Sequence, residues 1–280
     1  MSSLQEIETG SFARSQFVVF PPNCVRIVSW NINRGLQLQR IIEFLEAERA
    51  DVVLLQESDL NARRTHHLNI AKEISQRLEM NYVFAREFQE LTQGSATSPA
   101  YHGQATLSRW QLSGARIIRF RRQSNFWRPH WFLPEISPFQ ERFGGRLALV
   151  VEANIAGKMM VTYNLHLESK GDDGLRCAQL AETLDDAQRY HSKTPIVLAG
   201  DFNLDVSGGS GATALSRAQF YDGFTNHHVP TTPHSLLEKG RIIDWIFTRG
   251  PARSSEATVH RSLKASDHYP LSLTMRFADR

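Results

Sequence analysis

The stretch LAGDFNLD, residues 198–205, decides how the chain is read. Its lead, PIVLAGD (195–201), has the composition of a short buried strand and finishes on Asp201, with Asn203 two places on. A carboxylate after such a run is ordinarily a turn former or a helix cap. Working outward, the same pattern recurs. IVSWNIN (27–33) ends in Asn31 and Asn33, and VVLLQE (52–57) ends in Glu57. VTYNLHLES (161–169) carries Asn164 and His166, and RIIDW (241–245) carries Asp244. SDHYPL (266–271) sets Asp267 and His268 just before the last apolar run.

Alternate positions on a strand share a face. Asn31 with Asn33, Asn164 with His166, and Asp201 with Asn203 are therefore expected as same-face pairs. Burying so many polar groups without partners would cost a few kcal/mol each, so they must pair with one another, a metal or a charged ligand. Carboxylates, amides and histidines together make an oxygen-rich set suited to Mg2+ or Mn2+. No cysteine joins them, which argues against zinc.

The remaining chain alternates strands and helices. VRIVSW (25–30) and DVVLLQE (51–57) read as buried strands, each followed by a helical period, at 36–49 and 67–79. Four strands follow in the middle: GQATLS (103–108), ARIIRF (115–120), RLALVVEANI (146–155) and KMMVTYNLHL (158–167). The last two flank Ala156-Gly157 and predict a hairpin. A helix over 174–190, the strand at 195–201, and strands at 240–247 and 269–277 complete the chain, with the Gly/Ser-rich 207–211 read as a loop. Helix-flanked strands around a hairpin imply packed sheets covered by helices, an α/β fold. One domain is expected over 25–280, with 1–24 as an N-terminal extension.

Composition bounds the function. The 280 residues are 41% apolar and 22% charged, an ordinary globular balance. No run reaches the roughly 18 apolar residues of a membrane helix. The two cysteines, Cys24 and Cys177, suggest neither a disulfide framework nor metal spacing. A reducing, cytoplasmic setting fits, and a removed export signal stays open. Net charge +3 suits an anionic substrate only weakly.

Taken in order, SWNIN, LLQES, YNLHLES, LAGDFNLD, IDWIF and SDHYPL resemble the endonuclease/exonuclease/phosphatase superfamily, from about Val25 to the C-terminus. The resemblance implies a four-layer α/β/β/α sandwich with two mixed sheets and a site where they meet at one edge. It implies a divalent-metal-dependent hydrolase of phosphate esters, with a nuclease or DNA-end phosphodiesterase favoured and a sphingomyelinase-like or inositol-phosphate hydrolase as the alternative. Carried over, Glu57 is the metal ligand, with Asn31 and Asp267 beside it. Asp201 orients or deprotonates the attacking water, and Asn203 holds phosphate or water. His268 donates to a phosphoryl oxygen, Asp244 fixes its ring, and His166 is a catalytic histidine. Asn33 stands where some members have Asp, which leaves it at most a weak contact and puts a two-metal site in doubt.

Substrate contacts are expected from Asn164, from Arg146, which opens a strand after Gly144-Gly145, and from Arg176 early in the next helix. HLESK (166–170) adds Ser169 and Lys170. The segment 119–146 interleaves Arg121, Arg122 and Arg128 with Phe126, Trp127, Trp131 and Phe132. It reads as a loop packed on the sheet, a grip on nucleic acid, or a membrane-facing element. His227, His228 and His234, with His102, are candidates for a second metal or for the pocket rim. No protein partner is inferable.

Overall fold

The computed structural model describes residues 6–13, 23–127, 142–224, 229–234 and 239–278. In chain order the first half contains β1 (Ile7–Ser11), β2 (Cys24–Arg34), α1 (Leu38–Ala47), β3 (Val52–Leu60), α2 (Ile70–Leu78), β4 (Asn81–Glu90), β5 (Ala100–Ser108) and β6 (Leu112–Arg119). The second contains β7 (Arg142–Gly144), β8 (Leu147–Ile155), β9 (Lys158–His166), α3 (Asp173–Ala187), β10 (Ile196–Asp201), α4 (Gly209–Arg217), β11 (Tyr221–Asp222), β12 (Asp244–Arg249), β13 (Ala252–Val259) and β14 (Leu271–Phe277).

Two mixed sheets result. The larger runs β1-β4-β5-β3-β2-β14-β13, with β7 also on β4, and the smaller runs β11-β12-β10-β9-β8-β6. Alternation sorts each strand. On β2, Val28, Trp30 and Ile32 pack with Ile41 and Leu45 of α1 and Ile74 of α2. Val25 and Ile27 face the other way and join Val197, Ala199 and Ile246 of the smaller sheet. On the smaller sheet's outer face, Tyr163, Leu198 and Phe247 pack with Leu180 and Leu184 of α3 and Leu215 of α4. The order is therefore helices, sheet, sheet, helices, the expected four-layer sandwich.

Several differences from the sequence reading have physical causes. Ile7–Ser11, ahead of Val25, pairs antiparallel with β4 as the larger sheet's edge strand. β4 itself, NYVFAREFQE, was not expected, because charges at Arg86, Glu87 and Glu90 interrupt its apolar pattern. α4 begins inside the 207–211 stretch expected as loop, where packing of Leu215 onto the smaller sheet overrides weak Gly/Ser propensity. The hairpin at Ala156-Gly157 forms as expected, with φ of 47° and 90° and Ile155 opposite Lys158. Both turn residues are left-handed, the geometry of a two-residue hairpin turn.

Parallel pairing brings the C-terminal ends of β2 and β3 together, and likewise those of β9 and β10. β12 and β14 run against these neighbours, so their N-terminal ends join the same edge. The fold thus gathers Asn31, Glu57, His166, Asp201, Asp244 and His268 where both sheets end.

Candidate active site

On β10, Val197 and Ala199 face the other sheet, and Asp201 continues that face. Gly200 precedes it because a Cβ there would stand 2.0 Å from the Leu165 carbonyl oxygen, and its φ is 141°. Asp201 Oδ2 accepts from Asn31 Nδ2 at 3.1 Å, and its Oδ1 accepts from the Asn203 backbone N–H at 2.8 Å. Asn203 has φ 48° and Asn33 has φ 44°, and the Asn33 N–H donates to Asn31 Oδ1 at 3.1 Å. These two pairs come from left-handed turns closed onto a side chain, not from strand alternation. Asn164 and His166, both on β9, do share a face.

Glu57 departs from simple alternation. Val53 and Leu55 face the helices, so a regular strand would send Glu57 the same way. Instead β3 is irregular against both neighbours, between Leu55 and Ser58 on one side and opposite Asn31–Arg34 on the other. Glu57 itself has φ 54°. Such bulges re-aim side chains, and left-handed backbone costs a non-glycine residue roughly 1–2 kcal/mol. The strain turns Glu57 into a cleft of about 350 Å³, also lined by Arg34, Arg146, His166, Asp201 and His268.

The Glu57 carboxylate accepts no hydrogen bond among the described residues. Its oxygens lie 3.9 Å from His166 Nε2 and 4.0 Å from His102 Nε2. Burial alone would raise its pKa, but His102, His166, Arg34 and Arg146 outweigh burial and hold it well below the usual carboxylate range. An ionised, partly open carboxylate with no hydrogen-bond donor is what a hard divalent cation needs, so the donor chemistry fits Mg2+ or Mn2+.

His268 sits where β14 begins. Trp30 Nε1 donates to its carbonyl at 2.9 Å, and Ser266 Oγ fixes the turn by donating to the Asn31 carbonyl at 2.7 Å. Its Nδ1 lies 2.8 Å from Asp244 Oδ2, and its Nε2 lies 3.7 Å from Asp201 Oδ2. Burial opposes its charge, but Asp244, Asp201 and Asp267 prevail and push the imidazolium pKa up to about 10. Burial pushes Asp244 up as well, partly offset by His268. Thr231 also holds Asp244, donating Oγ1–H to Oδ2 at 2.6 Å.

His166 has different company. Its Nδ1 lies 3.0 Å from Glu87 Oε2, and its Nε2 lies 3.7 Å from Asp201 Oδ2. Arg146 Nη1 lies 2.7 Å from His166 Nε2 and 2.8 Å from Glu87 Oε1, and its Nη2 donates to Ser169 Oγ at 2.8 Å. Glu87 is fully buried; burial opposes its ionisation, but His166 and Arg146 hold its pKa at about 2. Glu87 was missed because its strand was missed. Arg34 and Thr231 were missed too, and their neighbours in IVSWNIN and VPTTP are the only local signal.

Other expected contacts fall elsewhere. Asn164 is fully buried and donates to the Leu55 and Ala105 carbonyls at 3.0 and 2.9 Å, while accepting from Gln56 at 2.7 Å. It ties the two sheets together and does not line the cleft. Arg176 donates to the Glu168 carbonyl at 2.7 Å and to Asp173 at 2.7 Å, clamping the start of α3 instead of a phosphate. Asp267 is exposed, with Oδ1 3.2 Å from Ser266 Oγ, and it does not line the cleft. Asp201, Asp244 and His268 offer donor atoms all within 4.8 Å of one another. His102 is buried against Asp59, Nδ1 to Oδ1 3.2 Å, behind Glu57. His234 is exposed, and His227 and His228 lie outside the described residues.

The 119–146 segment divides. Arg121 is exposed and pairs with Glu182 of α3 at 3.3 Å, on a surface shared with Asp185 and Asp186. Trp127 is buried and donates Nε1–H to Glu168 at 2.8 Å. Phe126 is exposed and lines the cleft with Lys170. Arg128, Trp131 and Phe132 lie outside the described residues.

Comparison with known proteins decides what this arrangement belongs to. The model of the Endonuclease/Exonuclease/phosphatase family matches residues 28–268. The chain belongs to this family. Similar solved structures include an endonuclease/exonuclease/phosphatase from Beutenbergia cavernae (TM-score 0.68, 19% identity, 92% of this chain and 72% of that one). TDP2 from Caenorhabditis elegans is another (0.63, 16%, 90% and 74%), and an endonuclease/exonuclease/phosphatase from Bacteroides vulgatus a third (0.66, 15%, 91% and 100%). At these identities the structural likeness speaks for the fold alone. No curated protein sequence matches the chain. As an endonuclease/exonuclease/phosphatase family member it is a phosphoesterase-type hydrolase, in a family that typically uses a divalent metal. No helix among the described residues is long and apolar enough to cross a membrane.

Proposed function

We propose that the chain is a Mg2+- or Mn2+-dependent phosphodiesterase acting on nucleic acid, as a nuclease or a DNA-end phosphodiesterase. The observation that carries this reading is the bulge at Glu57, which turns an ionised carboxylate without hydrogen-bond donors among the described residues into the cleft that holds Asp201 and His268. Glu57 would hold the metal, with Asn31 bracing Asp201 beside it. The cation, when bound, offsets phosphate charge and stabilises the leaving oxygen.

The protein's own groups supply the rest. Asp201 takes the proton of the attacking water, its carboxylate aimed by Asn31 Nδ2 and the Asn203 N–H. His268 stays an imidazolium through neutral pH and donates Nε2–H to a phosphoryl oxygen as charge builds there. Asp244 accepts the Nδ1–H and fixes the ring. His166, gripped by Glu87 and Arg146, contacts the phosphate from the smaller sheet. Lys170 lines the cleft without a carboxylate partner among the described residues, and Arg34 lines it within electrostatic reach of Glu57; both suit a polyanion.

The test is a substrate panel with Mg2+: single- and double-stranded DNA, abasic DNA, 5′-tyrosyl DNA, sphingomyelin and inositol phosphates. Turnover confined to the DNA substrates is the expected result. Turnover confined to sphingomyelin or inositol phosphates would overturn the nucleic-acid assignment.

A further inference from the structure

Four large apolar side chains are exposed among the described residues: Leu36, Phe126, Met159 and Tyr221. Phe126, at 63% exposure, lines the cleft that holds Glu57 and His268. Its place is fixed from below. Trp127 is anchored on the buried Glu168, and the Phe126 ring meets the Trp127 ring edge-on at 4.7 Å. Lys170 Nζ lies 5.3 Å from the Phe126 ring centre, and its backbone N–H is held by Glu168 at 2.9 Å. One buried carboxylate thus sets both an exposed aromatic face and, at the cleft mouth, a cation without an ion-pair partner among the described residues.

We infer that Phe126 and Lys170 form a subsite for the nucleotide next to the scissile phosphate, with the base stacked on Phe126 and the neighbouring phosphate on Lys170. A π-face beside a cation matches a base joined to a phosphate. A membrane-inserting surface needs a contiguous apolar patch, and among the described residues neither Met159 nor Tyr221 extends one from Phe126. Met159 stands at the start of β9, seven residues from His166, or roughly 23 Å at about 3.3 Å per residue. Tyr221 pairs with Thr248, four residues along β12 from Asp244 and again toward the far end.

The subsite rests on the phosphodiesterase reading, so the experiment separates the two. Binding of a labelled short oligothymidylate in EDTA is compared with binding of the same strand bearing abasic sugars at its centre. Wild type should prefer the base-bearing strand by about 5- to 150-fold, the range of one base stack. Phe126→Ala should abolish that preference, and Phe126→Trp should keep it. Lys170→Gln should flatten the salt dependence by roughly 0.7 in log affinity per log salt. A preference that survives Phe126→Ala, or equal binding of both strands by wild type, overturns the subsite. So does Phe126-dependent binding to sphingomyelin vesicles without binding to the oligonucleotide. Hydrolysis of bis(p-nitrophenyl) phosphate by wild type in Mg2+ is measured alongside. Its absence would sink the phosphodiesterase reading, whereas its presence with unaltered strand preference sinks the subsite alone. Phe126 is exposed, so Phe126→Ala should melt like wild type.

Discussion

His268 and His166 approach the same oxygen, Asp201 Oδ2, from different sheets and at the same 3.7 Å. Their surroundings differ. The charged groups that govern His268 are Asp244, Asp201 and Asp267, and they hold it protonated up to about pH 10. His166 has a carboxylate, Glu87, on one nitrogen and the guanidinium of Arg146 against its ring. One residue type therefore serves two purposes, set by neighbours. The larger sheet contributes a charged donor, and the smaller sheet contributes a ring locked in a buried ion pair.

That difference can be broken by mutation. The largest effect is expected on the His166 side, in stability. Glu87→Ala leaves Arg146 buried beside His166 without its main carboxylate, and such losses cost about 3–5 kcal/mol. Urea unfolding should show this. The acid limb carries the same sign: Glu87 is held at about 2 against an ordinary 4.5, so its contribution is complete above pH 4.5 and lost as pH falls through 2. A wild-type unfolding midpoint for Glu87→Ala would contradict the locked-ring description.

On the His268 side the expected effect is on turnover. His268→Gln should lower kcat by about 100- to 1000-fold with a smaller change in KM, as for loss of a donor to developing charge. Equal losses in kcat and binding would make it a positioning residue. Asp244→Asn should cost less, because the imidazole keeps its place and loses only the anion that holds its charge. It should also move the alkaline limb of the rate profile down from about pH 10 toward 6.5, because the main anion facing the imidazolium is gone. Stability should follow. The raised His268 pKa contributes fully below pH 6.5 and is lost as pH rises through 10, so the wild-type melting temperature should fall across that window more than the variant's. Arg121→Ala sets the baseline: its exposed pair with Glu182 is worth under about 1 kcal/mol, and hydrolysis should not change.

The two sides were also unequally legible in the sequence. Asp244, Asp201 and the residues before β14 interrupt apolar runs, and that interruption is visible along one strand. Glu87 sits on a strand whose charges hide its period, and its partners His166 and Arg146 are 79 and 59 residues away. Nothing local announces such a pair. Glu57 falls between these cases. Its place at the end of VVLLQE marked it and the resemblance to LLQES made it a metal ligand, but strand alternation would have sent it toward α1 and α2; the bulge that re-aims it is a property of pairing with two other strands. Asn164 and Arg176 are polar residues at conspicuous places that the fold consumes in joining sheets and clamping a helix. The Phe126–Trp127 pair shows the same limit, since adjacent aromatics divide into one buried anchor and one exposed face.

The central claim is that Glu57 is turned into the cleft to hold a divalent cation that phosphodiester hydrolysis requires. Calorimetric titration of Mg2+ into wild type, Glu57→Gln and His268→Gln, with bis(p-nitrophenyl) phosphate hydrolysis followed on the same samples, tests it most directly. Wild type should bind Mg2+ saturably and hydrolyse the ester only when Mg2+ is present. His268→Gln should bind Mg2+ but turn over slowly, and Glu57→Gln should lose both, with turnover down by about 100-fold or more. A Glu57→Gln protein that binds Mg2+ and hydrolyses the ester like wild type would contradict the account.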